Sequence, residues 1–137
     1  MINFDKCLEV SGALWSKDHP IRSFHISFLF YKNRIVSIAT NDKKTNPLNL
    51  RNPKINEFGI NVSDTKYSCS EMRAFLKVRN TTNIPFHKLT LVNVRLNRNR
   101  EFGFARPCVS CENLIKFCNI RKVFYTNELG NFVEFAT

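Results

Sequence analysis

Two short segments of the sequence carry residues that could do chemistry together: 69-CSE-71 and 107-PCVSC-111. Cys108 and Cys111 are spaced i, i+3, so at the start of a helix both sulfurs reach one point. Pro107 sits where a first helical residue is expected. Cys69 opens a second helical pattern. Helix N-termini carry partial positive charge and free N–H groups, which favour the thiolate that a metal needs. Two such helices side by side on a sheet would bring three thiolates together. Three protein ligands leave one tetrahedral position for water, the pattern of catalytic rather than structural zinc. Glu71 is too close to Cys69 to be a comfortable fourth ligand. It is placed instead to move a proton of that water as a general acid/base, and zinc makes the water nucleophilic near neutral pH.

The elements that must position these residues can be read from hydrophobic periodicity. Phe4, Cys7, Leu8, Leu14 and Trp15 have helical spacing, with Asn3 as N-cap and 18-DHP-20 as the stop. Gly12 is a weak point in that helix. The runs 23-SFHISFLFY-31 and 34-RIVSIAT-40 predict two strands joined by a tight 32-KN-33 turn. The polar stretch 41–67 is too long for a plain connector and reads as a functional loop. A helix is predicted from Cys69 to Arg79, with Met72, Phe75 and Leu76 as its apolar stripe. The segment 88-KLTLVNVRL-96 alternates as a strand, and a basic loop, 97–105, leads to a helix from Pro107 to Cys118. The segments 121-RKVFYT-126 and 131-NFVEFA-136, joined by 127-NELG-130, predict a closing hairpin. The order is that of an α/β protein, a sandwich with one sheet of about five strands between helices.

A chain of 137 residues with 43% hydrophobic residues and 13 Phe is sized for one domain, residues 1–137, with a real core. No apolar run reaches a membrane span, and 1-MINFDKCLEV-10 lacks the pattern of a signal peptide. An intracellular, cytoplasmic location is the expectation. Of five cysteines, Cys7 and Cys118 read as buried apolar fillers. His25 reads as a hydrogen-bonded interior residue. With 21 Lys and Arg against 11 Asp and Glu, the net charge is +10. Such a field favours a polyanion or a phosphorylated ligand over a membrane interior, unless it only keeps the surface solvated. Arg95, Arg98, Arg100 and Arg106 cluster before the second cysteine motif, and Lys43, Lys44, Arg51, Lys54 and Lys66 dot the polar loop. Phe102 and Phe104, among the arginines, are either a base-stacking platform or core residues at a strand end.

The combination of C-x-E and P-C-x-x-C is similar to the zinc signature of the cytidine deaminase superfamily, H-x-E…P-C-x-x-C. The stretch 69-CSEMRAFLKV-78 resembles that family's "HAEMNAL" or "CAERxAL" helix. The stretch 105-ARPCVSCENLIKFCNIRKVFYTNELG-130 resembles "SRPCxxCxxLIxxxGIKxVYYSxxxG" of small single-domain viral and microbial members. The resemblance implies a three-layer α/β/α sandwich whose last two strands form an antiparallel hairpin. It implies one Zn²⁺ held by Cys69, Cys108 and Cys111, with Glu71 moving protons while hydroxide attacks C4 of a cytosine to give uracil and ammonia. Asn41 would hydrogen-bond base or sugar, and the backbone at Ala105 would face the leaving amino group. Arg106 and Phe104 would line the substrate.

Two departures from the family pattern matter. Cys69 stands where small viral members have His, so three thiolates add negative charge that a cation must offset; Arg73 or Arg106 could donate to one of them. Ala105 stands where Ser is usual. Cytosine in single-stranded nucleic acid is the first expectation for the substrate, with Arg95, Arg98 and Arg100 holding its backbone. Free cytidine, deoxycytidine or their monophosphates are the alternative, favoured by Cys69 and by the tight closing turn. An inactive zinc-stabilised nucleic-acid-binding module is the third. An oligomer is compatible with the sequence, but no interface can be read from it.

Overall fold

The computed structural model describes residues 2–15, 24–41, 69–107 and 109–135. They form an α/β fold with three helices and one mixed five-stranded sheet. In chain order these are α1 (Phe4–Leu14), β1 (Phe24–Tyr31), β2 (Arg34–Thr40), α2 (Ser70–Thr81), β3 (Thr90–Leu96), α3 (Val109–Cys118), β4 (Lys122–Thr126) and β5 (Phe132–Glu134). The strand order is β2-β1-β3-β4-β5. β1 is antiparallel to β2 and β3, β3 is parallel to β4, and β4 is antiparallel to β5. The parallel step is the one bridged by α3, as a β-α-β crossover requires. No helix among the described residues is long and apolar enough to cross a membrane.

The expected hairpin between β1 and β2 turns at Lys32 and Asn33, both with positive φ (50° and 66°). That is the two-residue loop whose twist matches antiparallel strands, and Asn tolerates it well. A register shift between Leu29 and Phe30 marks a bulge at Val36 of β2. The sheet is covered on both faces, and residue parity decides which face each side chain serves. Phe24, Ile26, Phe28, Phe30, Val92, Val94 and Leu96 form one core cluster with Cys7 of α1. Leu29, Leu91, Val123 and Tyr125 form the other with Met72, Phe75 and Val78 of α2 and Leu114 and Ile115 of α3. Thus α1 packs on one face, and α2 and α3 on the opposite face.

Asn3 caps α1 as expected, its side chain accepting from Lys6 N at 3.0 Å. The buried stripe of α1 differs from the expected one: Leu14 is exposed, while Cys7 and Ser11 are buried and Phe4 and Val10 pack beside them. Phe4 fixes the helix by stacking on Phe132 (centroids 4.5 Å) and meeting Phe124 edge-on at 5.2 Å. Gly12, the weak point, lies inside the helix, and its carbonyl accepts from Arg100 Nη2 at 3.0 Å. The expected stop at 18–20 lies outside the described residues, as do residue 23, the start expected for β1, and residue 136, the end expected for β5. Helix α2 begins one residue after Cys69 and runs to Thr81, two past the expected end. Lys88 belongs to a 3₁₀ turn after Pro85 rather than to β3. Helix α3 starts at Val109, so Pro107 precedes it instead of being its first residue. It closes on Asn119 in the left-handed region (φ 54°).

The edge strand β2 is sealed by α2. Lys77 Nζ donates to Ile38 O at 2.7 Å and Arg73 Nη1 to Thr40 O at 2.9 Å. One helical turn separates the two cations, and it matches the spacing of two carbonyls that point away from β1.

The closing hairpin depends on Gly130, whose φ is +79° and whose added Cβ would meet the Phe102 ring at 2.7 Å. Gly130→Ala should lower stability by about 1–2 kcal/mol, through left-handed backbone strain and displacement of Phe102. Urea denaturation of the two proteins measures it.

Candidate functional site

The N-terminus of α2 and the approach to α3 lie at one end of the sheet. β2 and β3 both end there, with Thr40 beside the start of α2. In open α/β sheets, ligands bind outside the carboxyl ends of strands, where neighbouring connections diverge. Cys69 is the N-cap of α2, extended (φ −71°, ψ 146°), and its side chain makes no capping hydrogen bond. A cysteine replaces the usual Ser, Thr or Asp there. Glu71 follows in the first turn, where the helix dipole favours a carboxylate. It is only 6% exposed. Cys111 is fully buried in the first turn of α3, and α2 and α3 share one core.

Cys108 lies outside the described residues. Among those described, no three His, Cys, Asp or Glu residues group closely enough to hold a metal ion. The donor types at Cys69 and Cys111 fit zinc, being thiols at or near the N-termini of two helices that share one hydrophobic core on the same face of the sheet.

A chain of polar side chains runs beneath Glu71. Ser70 Oγ donates to Glu71 Oε1 at 2.9 Å, and the Ser70 and Ser27 hydroxyls lie 2.7 Å apart. Ser27 Oγ donates to Asn93 Oδ1 at 2.7 Å. The Asn93 amide is oriented at its other end, where Nδ2 donates to Ala105 O at 3.4 Å. None of Ser27, Ser70 and Asn93 stands out in the sequence. For Ser27 and Asn93 the only signal is a polar residue at an inward parity position inside an apolar strand, as in 88-KLTLVNVRL-96.

The other expected site residues fall as follows. Asn41 extends the β1–β2 ladder: its N–H donates to His25 O and its Oδ1 accepts from His25 N, both at 3.1 Å. Ala105 is buried, with its N–H on Thr126 O at 2.9 Å. Its carbonyl is the one held by Asn93. Arg73 is engaged at the β2 edge through Nη1. Phe102 and Phe104 separate cleanly: Phe102 bridges to Leu96 and packs in the α1-side cluster, while Phe104 is 46% exposed. The Phe104 ring meets Tyr125 edge-on at 5.3 Å.

The arginines of the basic segment have structural engagements. Arg95 Nη1 donates to Phe104 O at 3.4 Å. Arg106 pairs with Glu112 at 3.3 Å and lies over the Phe135 ring at 5.0 Å. Arg100, itself at φ 62°, reaches α1 at Gly12 O and covers the Trp15 ring at 5.7 Å. Trp15 Nε1 completes that clasp by donating to Asn97 O at 3.0 Å. Asn97 Oδ1 accepts from the Asn99 and Glu101 amides at 2.9 Å, which rigidifies the turn. Arg98 is exposed in this turn. Lys43, Lys44, Arg51, Lys54 and Lys66 lie outside the described residues.

No protein-family model, curated protein or solved structure matches this chain.

Cys7 and Cys118, expected as apolar fillers, are buried and half-buried, and burial pushes their thiols up to about 12 and about 11. A thiol raised in the folded state contributes stability that is complete below the unfolded value of 9.0. That contribution is lost as pH climbs through the folded values. A Cys7→Ala, Cys118→Ala double variant should therefore lose less stability than the parent between about pH 9 and pH 11. Denaturant titrations across that range check it.

Proposed function

We propose that the chain is a zinc-dependent deaminase that converts cytosine to uracil, with single-stranded nucleic acid as its substrate. The observation that carries this reading is the buried Glu71 in the first turn of α2, directly after Cys69, over the same sheet face as buried Cys111. A structural metal knuckle has no use for a buried carboxyl beside its ligand, whereas hydrolysis needs a group to carry protons. The strand order, with α1 on one face and α2 and α3 on the other, supports reading the fold as the α/β/α sandwich of the cytidine deaminase superfamily.

Zinc, held by Cys69, Cys108 and Cys111, would supply the Lewis acidity that makes water a nucleophile near neutral pH. Glu71 would accept the proton of the attacking water and deliver it to the ring nitrogen. It would then pass the second proton to the departing amine. A C4–O bond forms, the C4–N bond breaks, and ammonia leaves. Ser70 holds the Glu71 carboxyl during these transfers. Arg73, anchored at Thr40 O, is one helical turn from Cys69 and would offset thiolate charge with its positive charge.

The nucleic-acid preference rests on the net charge of +10 and on the exposed Phe104 ring, flanked by Arg95 and Arg106 just before the second cysteine motif. An exposed ring among arginines is the kind of surface on which unpaired bases stack. A second reading, deamination of free cytidine or its monophosphates, is favoured by the antiparallel β4–β5 pairing. The charge also suits a zinc-stabilised binding module without activity; Glu71 argues against it.

Purified protein incubated with cytidine, its phosphates, and single- and double-stranded oligonucleotides should convert cytosine to uracil within the single-stranded oligonucleotides and release ammonia. Turnover on free cytidine alone would favour the second reading, and tight oligonucleotide binding without turnover the third. Glu71→Ala should abolish turnover while zinc content stays at about one per chain. Cys111→Ser should lose both the metal and much of the stability. Metal analysis of each variant separates the two effects.

A further inference from the structure

We infer that Ser27, Ser70 and Asn93 are positioning residues for Glu71. Asn93 also couples the carboxyl to the segment that enters the second cysteine motif. The first part rests on the deaminase reading; the coupling does not.

The three side chains are 0%, 1% and 3% exposed. They occupy one step of a largely apolar layer, in which Ser37 of β2 is also buried and donates to Ala74 O of α2 at 2.9 Å. Leu29 and Leu91, the next residues of the same parity, belong to the hydrophobic cluster under α2. For stability alone, an apolar side chain at each of these positions would avoid the desolvation of two hydroxyls and an amide. The polar step lies directly beneath the residues that start α2. It also has a direction. Ser27 and Asn93 are register partners across β1 and β3, so their contact is set by the sheet. Ser70 adds the link to Glu71 Oε1. A glutamate side chain has three rotatable bonds, and a proton carrier must be held within hydrogen-bond reach of its target. The hydroxyl of Ser70, itself located by Ser27, restricts that freedom.

Asn93 has a second task. Its Nδ2 holds Ala105 O, two residues before Pro107, and the Ala105 N–H is held by Thr126 O. One amide thus links the Ala105 backbone, through Ser27 and Ser70, to Glu71. A shift in the loop that carries Pro107 is transmitted through Asn93 and Ser27 to the Glu71 carboxyl.

Two measurements test this on the full chain. In steady-state kinetics with whichever cytosine substrate the parent turns over, Ser70→Ala and Ser27→Ala should each lower kcat by about tenfold or more. KM and zinc content should stay within about twofold of the parent. Ser70→Thr, which keeps the hydroxyl, should recover most of kcat. An unchanged kcat, a loss that falls on KM alone, or an equal loss in Ser70→Thr and Ser70→Ala would overturn the positioning role. A parent inactive on every cytosine substrate would overturn the deaminase reading, and the positioning role with it. The coupling is read without activity: in the protein as purified, Asn93→Ala should speed hydrogen exchange of the Ala105 amide severalfold. An unchanged Ala105 rate, in a variant whose β1 amides stay protected, would overturn it.

Discussion

The antiparallel register of β1 and β3 is the constraint on which the site depends. It sets Ser27 opposite Asn93 and turns both toward α2. A slip of one residue would send either Ser27 or Asn93 to the α1 face and bring Ile26 or Val94 to the α2 face in its place. Because both faces of the sheet are buried, the displaced polar side chain would then face the apolar α1-side cluster with no partner. The apolar rows on either side therefore enforce the polar contact. The tight Lys32–Asn33 turn fixes the β1–β2 pairing in the same way, and with it the place of Thr40, where Arg73 anchors the start of α2.

Much of this arrangement was legible in the sequence, and the parts that were not share a cause. Strands rich in β-branched and aromatic residues, the Lys-Asn turn, the helix after Cys69 and the closing hairpin all follow from local pattern, and the structure has them. The α1 stripe was misread at Leu14, because the helix presents Val10 and Ser11 to the sheet instead. Ser11 looks like a solvent residue until its burial is seen. Ser27 and Asn93 were hidden for the same reason: a Ser or Asn in a strand normally marks a wet face, and a sheet covered on both faces has none. The cysteine and glutamate motifs were visible as types and spacing. The side chains behind Ser70, which itself holds Glu71, come from β1 and β3, far away in the chain, and only the sheet register brings them together.

The basic segment shows how tertiary contacts reshape a compositional signal. In the sequence, the arginines of 95–106 read as one charged strip. In the fold, Arg100 closes a clasp on α1, Arg95 holds the Phe104 carbonyl, and Arg106 sits between Glu112 and Phe135. Each of these anchors fixes the direction of its guanidinium. An anion meeting these groups would find them already oriented, with less side-chain entropy to lose than a loose lysine fringe would give up.

The seal that Lys77 and Arg73 place over β2 bears on how copies of this protein meet. An incoming strand would need the Ile38 and Thr40 carbonyls as its acceptors. It would have to evict an ammonium and a guanidinium to reach them. The lateral margin of the sheet is thus closed to edge-to-edge growth on that side, a safeguard against fibrous self-association in a protein with so many aromatic strand residues.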